Sequence, residues 1–206
     1  MLYARSVRSS SGGGPARRFI RPGFSLPQPL KTLLSRKASP MGEERIPLPR
    51  LEGYDCFGCG TNNPIGLRMT FYRQGNAVCS DVVLKRDHVG WQNMAHGGII
   101  STLLDEVMAW AVIYLKRSFS VTRRMTIRYR APVAVNVPLM VRGSVAEECA
   151  AGTCRTSGIL LDGDGKALAT GEAEFVLLSA ERLTAIPEEL KSEMTKLFER
   201  LQAESR

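Results

Sequence analysis

"HGGIISTLLDEVMAWAVIYLK", residues 96–116, is the most apolar part of the chain, yet it carries an acidic pair, Asp105 and Glu106, in its middle. A carboxylate among apolar residues is costly unless it is paired or used. The stretch is apolar nearly all round, which predicts a buried helix from Gly97 or Gly98 to about Lys116. On such a helix Gly98, Thr102, Asp105 and Ala109 fall on one stripe. Three of them are small, so the stripe leaves room for something beside the carboxylate. Glu106 lies about 100° further round and points elsewhere.

The helix start adds a second element. The amides of Gly97 and Gly98 have no partners within the helix and stand at the positive end of its dipole. Glycine also lets a ligand approach the backbone closely. A carbonyl could be polarised there as in an oxyanion hole, with a carboxylate about two turns along. That combination suits acyl-transfer hydrolysis, with Asp105 activating water as a general base or attacking as a nucleophile. The competing reading is an aspartate that is merely paired or solvated.

Strand patterns surround the helix. Before it come 67–73 and 77–85, joined by a hairpin turn at Gln74, Gly75 and Asn76. The stretch "RDHVGWQNMA" reads as a loop. After the helix, residues 121–131 place Met125, Ile127 and Tyr129 on one face and Arg124, Thr126, Arg128 and Arg130 on the other. Strands at 138–149, 152–162 and 166–178 follow, the last two joined by the turn Asp162–Gly165. From Pro187 onward, Leu190, Met194, Leu197 and Leu201 mark an amphipathic helix, expected to pack on the domain surface or on a partner subunit. The layout is α+β: one buried helix against a long antiparallel sheet. One helix covers one sheet face, so the other face or the sheet edge is expected to meet a second subunit.

The net charge of +8 resembles a nucleic-acid signal until it is located. Residues 1–42 hold eight basic residues and no acid, so the body, with 20 of each sign, is neutral and makes no electrostatic case for nucleic acid. Three domains of composition result: a basic extension (1–42), a main domain (43–180) and a C-terminal helix (181–206). The Ser-, Gly-, Pro- and Arg-rich extension has the composition of disorder. It reads as a transit-like peptide, as an upstream extension from a misplaced start with translation beginning at Met41, or as a basic surface-binding tail. No uncharged apolar stretch approaches a membrane span. Five cysteines, an odd count, argue against a disulfide framework and for a reducing compartment. A cytoplasmic location is expected, or the mitochondrial matrix if the extension is a transit peptide.

"HGGIISTLLDE", with "HVGWQNMAHGG" before it, "VTRRMTIRYRAPV" after it and "CFGCGTNNPIGLRM" upstream, resembles the hotdog-fold acyl-CoA thioesterases of the phenylacetate-degradation type. The resemblance runs from about Tyr54 to Leu178. It implies a long helix wrapped by an antiparallel sheet. It also implies a homodimer, extending in some cases to a tetramer, with a continuous sheet and shared active sites. The family's carboxylate matches Asp105, and its carbonyl-polarising amide matches Gly97 or Gly98. His96 matches a histidine that is more often positional than catalytic. Thr122 stands where many members carry a hydroxyl near the carboxylate of the partner subunit. Gln92 and Asn93 lie near the place where some members hold the attacking water, and Thr102 lines the stripe.

Arg124, Arg128 and Arg130 form either a solvated face or a contact for coenzyme A phosphates. Cys56-Phe57-Gly58-Cys59 could be half a zinc site. Without a second such pair, it is expected instead to be a buried loop closing one end of the domain. Cys79, Cys149 and Cys154 are expected to be packing residues. The reading is a homo-oligomeric hotdog thioesterase releasing a free acid and CoA, with no metal or redox cofactor. Its rivals are a non-catalytic acyl-CoA-binding sensor and a hotdog hydratase or dehydratase.

Overall fold

In the computed structural model, which describes residues 44–145, 149, 151–179 and 188–203, the opening stretch is a single helix, α1 (Gly97–Lys116). Its start is set by His96, whose extended backbone and side-chain acceptor cap the first turn. Its end is set by Arg117 in the left-handed region (φ 46°, ψ 48°). Ile100, Leu103, Leu104, Val107, Met108 and Ala111 are buried along it. Each large one contributes roughly 1.5–3 kcal/mol of burial. By length and composition alone α1 is long and apolar enough to cross a membrane, although Asp105 and Glu106 interrupt it. Here that apolar surface is packed on a sheet.

The sheet has seven antiparallel strands. In chain order they are β1 (Ile46–Pro47), β2 (Tyr72–Gln74), β3 (Ala77–Val83), β6 (Phe119–Tyr129), β7 (Pro138–Val145), β8 (Thr153–Asp162) and β9 (Ala167–Leu178). In space the order is β1-β2-β3-β7-β8-β9-β6. A separate two-stranded hairpin, β4 (Val89–Trp91) and β5 (Met94–Ala95), precedes α1. It corrects the reading of that segment as a loop.

A row of glycines explains how the helix sits so close. Gly143, Gly158 and Gly171 are in register across β7, β8 and β9. A Cβ on Gly143 would stand 2.6 Å from the Val107 carbonyl oxygen. Cβ atoms on Gly158 and Gly171 would press on Leu104 and Met108. The three bare positions form a groove into which α1 settles.

Strand boundaries differ from the sequence expectation mainly at the front. Of 67–73 only Tyr72 and Arg73 lie in a strand, β2, which runs on to Gln74. Leu67 and Met69 instead donate to the carbonyls of Phe57 and Gly58 in the upstream loop, so a loop takes the ladder's place. The hairpin turn at Gly75 and the alternation of Met125, Ile127 and Tyr129 toward the helix side are as expected. Cys149 and Cys154 are joined by a disulfide that the sequence reading did not anticipate, and both also pack, Cys154 in the core and Cys149 against it, as expected.

The terminal helix, α2 (Glu188–Ala203), buries Met194, Leu197 and Leu201. Phe198 meets Phe119 edge-on, with ring centres 5.5 Å apart. It packs on the domain surface, as its spacing predicts. The basic extension 1–42 and its readings lie outside the described residues.

Candidate active site

The β4–β5 hairpin sets the helix start. Gln92 and Asn93 form its tip with positive φ (26° and 62°). Ala95 donates to the Val133 carbonyl and His96 to the His88 carbonyl, each at 2.8 Å. Gly90 lies directly beneath His96, where a Cβ would stand 2.8 Å from the His96 Cα. His96 is thereby fixed as the cap.

The first-turn donors can now be assigned. Gly98 N–H donates to His96 Nδ1 at 3.0 Å. Ile99 and Ile100 both donate to the His96 carbonyl, at 3.0 and 3.2 Å. The expectation that both glycine amides are open is corrected: Gly98 is capped, and Gly97 N–H alone has no acceptor among the described residues. The Gly97 carbonyl is held from the other side. It accepts from Tyr129 Oη and from Ser101 Oγ, each at 3.0 Å, and those two hydroxyls lie 2.8 Å apart. Tyr129 at the end of β6 thus pins the helix start to the sheet edge.

Gly97 opens on a cleft of about 510 Å³, lined among others by Trp91, His96, Ile100, Tyr129, Arg130 and Val133. Trp91 is 72% exposed. The cleft brings His96, Gly97 and Arg130 together, whereas Asn93, Thr102, Asp105, Thr122 and Arg128 are not among its lining residues.

Asp105 forms a second centre. Its Oδ1 accepts from Thr122 Oγ1 at 2.8 Å. Burial pushes its carboxyl above the usual aspartate range, and the Thr122 bond works in the opposite direction. The resemblance placed this hydroxyl near the partner's carboxylate; in the structure the bond is made within one chain. Thr102 Oγ1 donates to the Gly98 carbonyl at 3.0 Å, a bond within the helix itself. Asn93 holds Val135 N–H through its carbonyl and is exposed at the hairpin tip. Arg128 faces away from the helix, opposite Thr170 of β9. Arg130 Nε lies 3.4 Å from Thr170 Oγ1.

Glu106 points elsewhere, as the helical angle requires. Its Oε1 is 3.2 Å from Cys56 Sγ, close enough to share a proton. Hydrogen bonds from Cys59 draw Cys56 down to about 5, despite its burial. The same contact and burial push Cys59 up. Burial and the neighbouring thiolate raise Glu106 to about 8. The loop expected to be buried is only half-buried, with Phe57 exposed, and its tie to Glu106 is not legible in the sequence because 50 residues separate the partners. The strand alternation places Tyr129 on one face with Met125 and Ile127 and says nothing of its hydroxyl. Its hydroxyl's use depends on the helix start lying beside the end of β6, which no local pattern encodes.

Residues 92–148 match the model of the thioesterase superfamily. No curated protein matches the chain. Among solved structures, a thioesterase superfamily protein aligns over 71% of this chain and 74% of its own, with TM-score 0.55 and 20% identity. Zebra fish thioesterase superfamily member 2 aligns over 73% of this chain and 96% of its own, with TM-score 0.51 and 16% identity. Another thioesterase superfamily protein aligns over 57% and 90%, with TM-score 0.51 and 22% identity. The chain has the hotdog fold of thioesterase-superfamily structures, and residues 92–148 carry the family's sequence pattern.

Proposed function

We propose that the protein is an acyl-CoA thioesterase working through a site shared between two copies of the chain. The observation that carries the reading is the Gly97 N–H, without an acceptor among the described residues, at the positive end of a buried helix and open to a cleft. It suits a thioester oxygen that becomes more negative as the carbonyl is attacked. Asp105, oriented by Thr122, is the group to activate water or to attack directly.

One chain cannot bring these two together. Eight residues of helix separate Gly97 from Asp105, a rise of about 12 Å. Reacting atoms need to approach to about 3–3.5 Å. A second copy, with its helix antiparallel to the first, would place the Asp105 of one chain beside the Gly97 of the other. The 11-residue edge strand β6 carries both Thr122 and Tyr129 and offers a free ladder for such pairing. Arg130, which lines the cleft, and Arg128, on the outer face of β6, are the candidates to meet coenzyme A phosphates, since Arg suits phosphate. His96 commits Nδ1 to the cap, which weighs against a hydratase that would use it as the catalytic base.

The test is free-thiol release from short, medium, long and aromatic acyl-CoAs, comparing the native chain with Asp105→Asn. The reading expects release from at least one class and a fall of about 10²–10⁴-fold in the variant. Undiminished release by folded Asp105→Asn would sink it. Binding of acyl-CoA without any release would favour the sensor.

A further inference from the structure

Among the described residues, the mechanism leaves one half-buried cluster unused. Cys56 Sγ, Cys59 Sγ and a Glu106 carboxylate oxygen all lie within 4.8 Å of one another. Two features distinguish it from ordinary packing. First, the loop 56–59 is a tight turn, closed by Gly60 N–H donating to the Cys56 carbonyl at 2.9 Å, and it brings both sulfurs to the same side chain of α1. Second, Gly58 is bare where Glu106 enters. A Cβ there would overlap the Glu106 side chain, so this position admits the carboxylate to the two sulfurs.

We propose that Cys56, Cys59 and Glu106 bind one divalent cation of the zinc class. Two thiolates and one carboxylate are a donor set for zinc rather than for calcium or magnesium. Zn–S near 2.3 Å and Zn–O near 2.0 Å put tetrahedral ligand atoms about 3.5–3.8 Å apart. The Cys56–Glu106 pair, at 3.2 Å, is already near that spacing, and the widest separation in the cluster is 4.8 Å. Closure needs about 1 Å of movement, and the fourth position goes to water. Binding displaces the protons held by the cluster. The cation fastens the 56–60 loop to α1 one residue from Asp105. The thioesterase reading stands or falls separately, because the metal is read without substrate.

The test is titration of the reduced full chain with Co²⁺ as the probe. One equivalent per chain should give a thiolate-to-metal charge-transfer band with tetrahedral visible bands, and Zn²⁺ should displace it. Cys56→Ser and Cys59→Ser should each remove the charge-transfer band. Cys79→Ser should keep it. Glu106→Gln should weaken the metal by at least the roughly tenfold that even outer partners of a ligand contribute. Should the serine variants fail to fold, the native stoichiometry and the Glu106→Gln affinity still decide. The proposal is overturned if the native chain gives no band, if the band survives in both serine variants, or if it disappears with Cys79.

Discussion

Gly97 and Gly98 are adjacent and chemically identical, yet the structure gives them opposite roles. Gly98 N–H is held by His96, and Gly97 N–H has no acceptor among the described residues, which is why the proposed mechanism uses it. Gly97→Pro separates the two. Proline is well tolerated at the first position of a helix and removes only the N–H. His96 already has the extended backbone that a following proline requires (φ −63°, ψ 138°). An alanine-like Cβ at 97 would meet Tyr129 at 3.5 Å, an ordinary contact. Thiol release should therefore fall about 10²–10³-fold with the thermal midpoint little changed. His96→Ala should do the reverse. Loss of the cap costs about 1 kcal/mol, visible as a lower denaturant midpoint. Its turnover should fall far less than that of Asp105→Asn. Equal losses in the two would make His96 a catalytic group rather than a cap.

At the scale of elements, the decisive contact is α1 against the glycine row of β7, β8 and β9. Gly143→Ala places a methyl group against the backbone of Val107, which cannot rotate away. The expected cost is about 1–3 kcal/mol of stability, measured by urea unfolding. An unchanged midpoint would mean that helix and sheet are less tightly docked than the geometry requires. This contact also marks where the sequence was readable and where it was not. The helix bounds and the inward residues of β6 follow from periodicity, because α1 is long and β6 alternates cleanly. The glycine row does not, since each glycine lies alone in its strand and acquires meaning only through register. The β4–β5 hairpin was missed because its turn is built from Gln92 and Asn93 in strained positive-φ positions rather than from a glycine pair. The Thr122–Asp105 bond could be anticipated only as a neighbourhood, because the bulge between Thr122 and Arg124 sets the direction of the hydroxyl.

For the whole molecule, the account rests on a separation. Gly97 and Asp105 lie about 12 Å apart on one helix. The proposed chemistry therefore belongs to a pair of chains, and the free edge of β6 is where they would join. Complementation tests this most directly. Gly97→Pro chains and Asp105→Asn chains, each nearly inactive alone, are co-expressed in equal amounts and assayed for thiol release from an acyl-CoA that the native chain hydrolyses. In a mixed dimer one site combines the intact Gly97 of the Asp105→Asn chain with the intact Asp105 of the Gly97→Pro chain, while the other site lacks both. Random pairing makes half the dimers mixed, so the account predicts recovery to about a quarter of native activity. Activity that stays at the level of the separate variants, although the two chains are shown to associate, would place the whole site within one chain and contradict it.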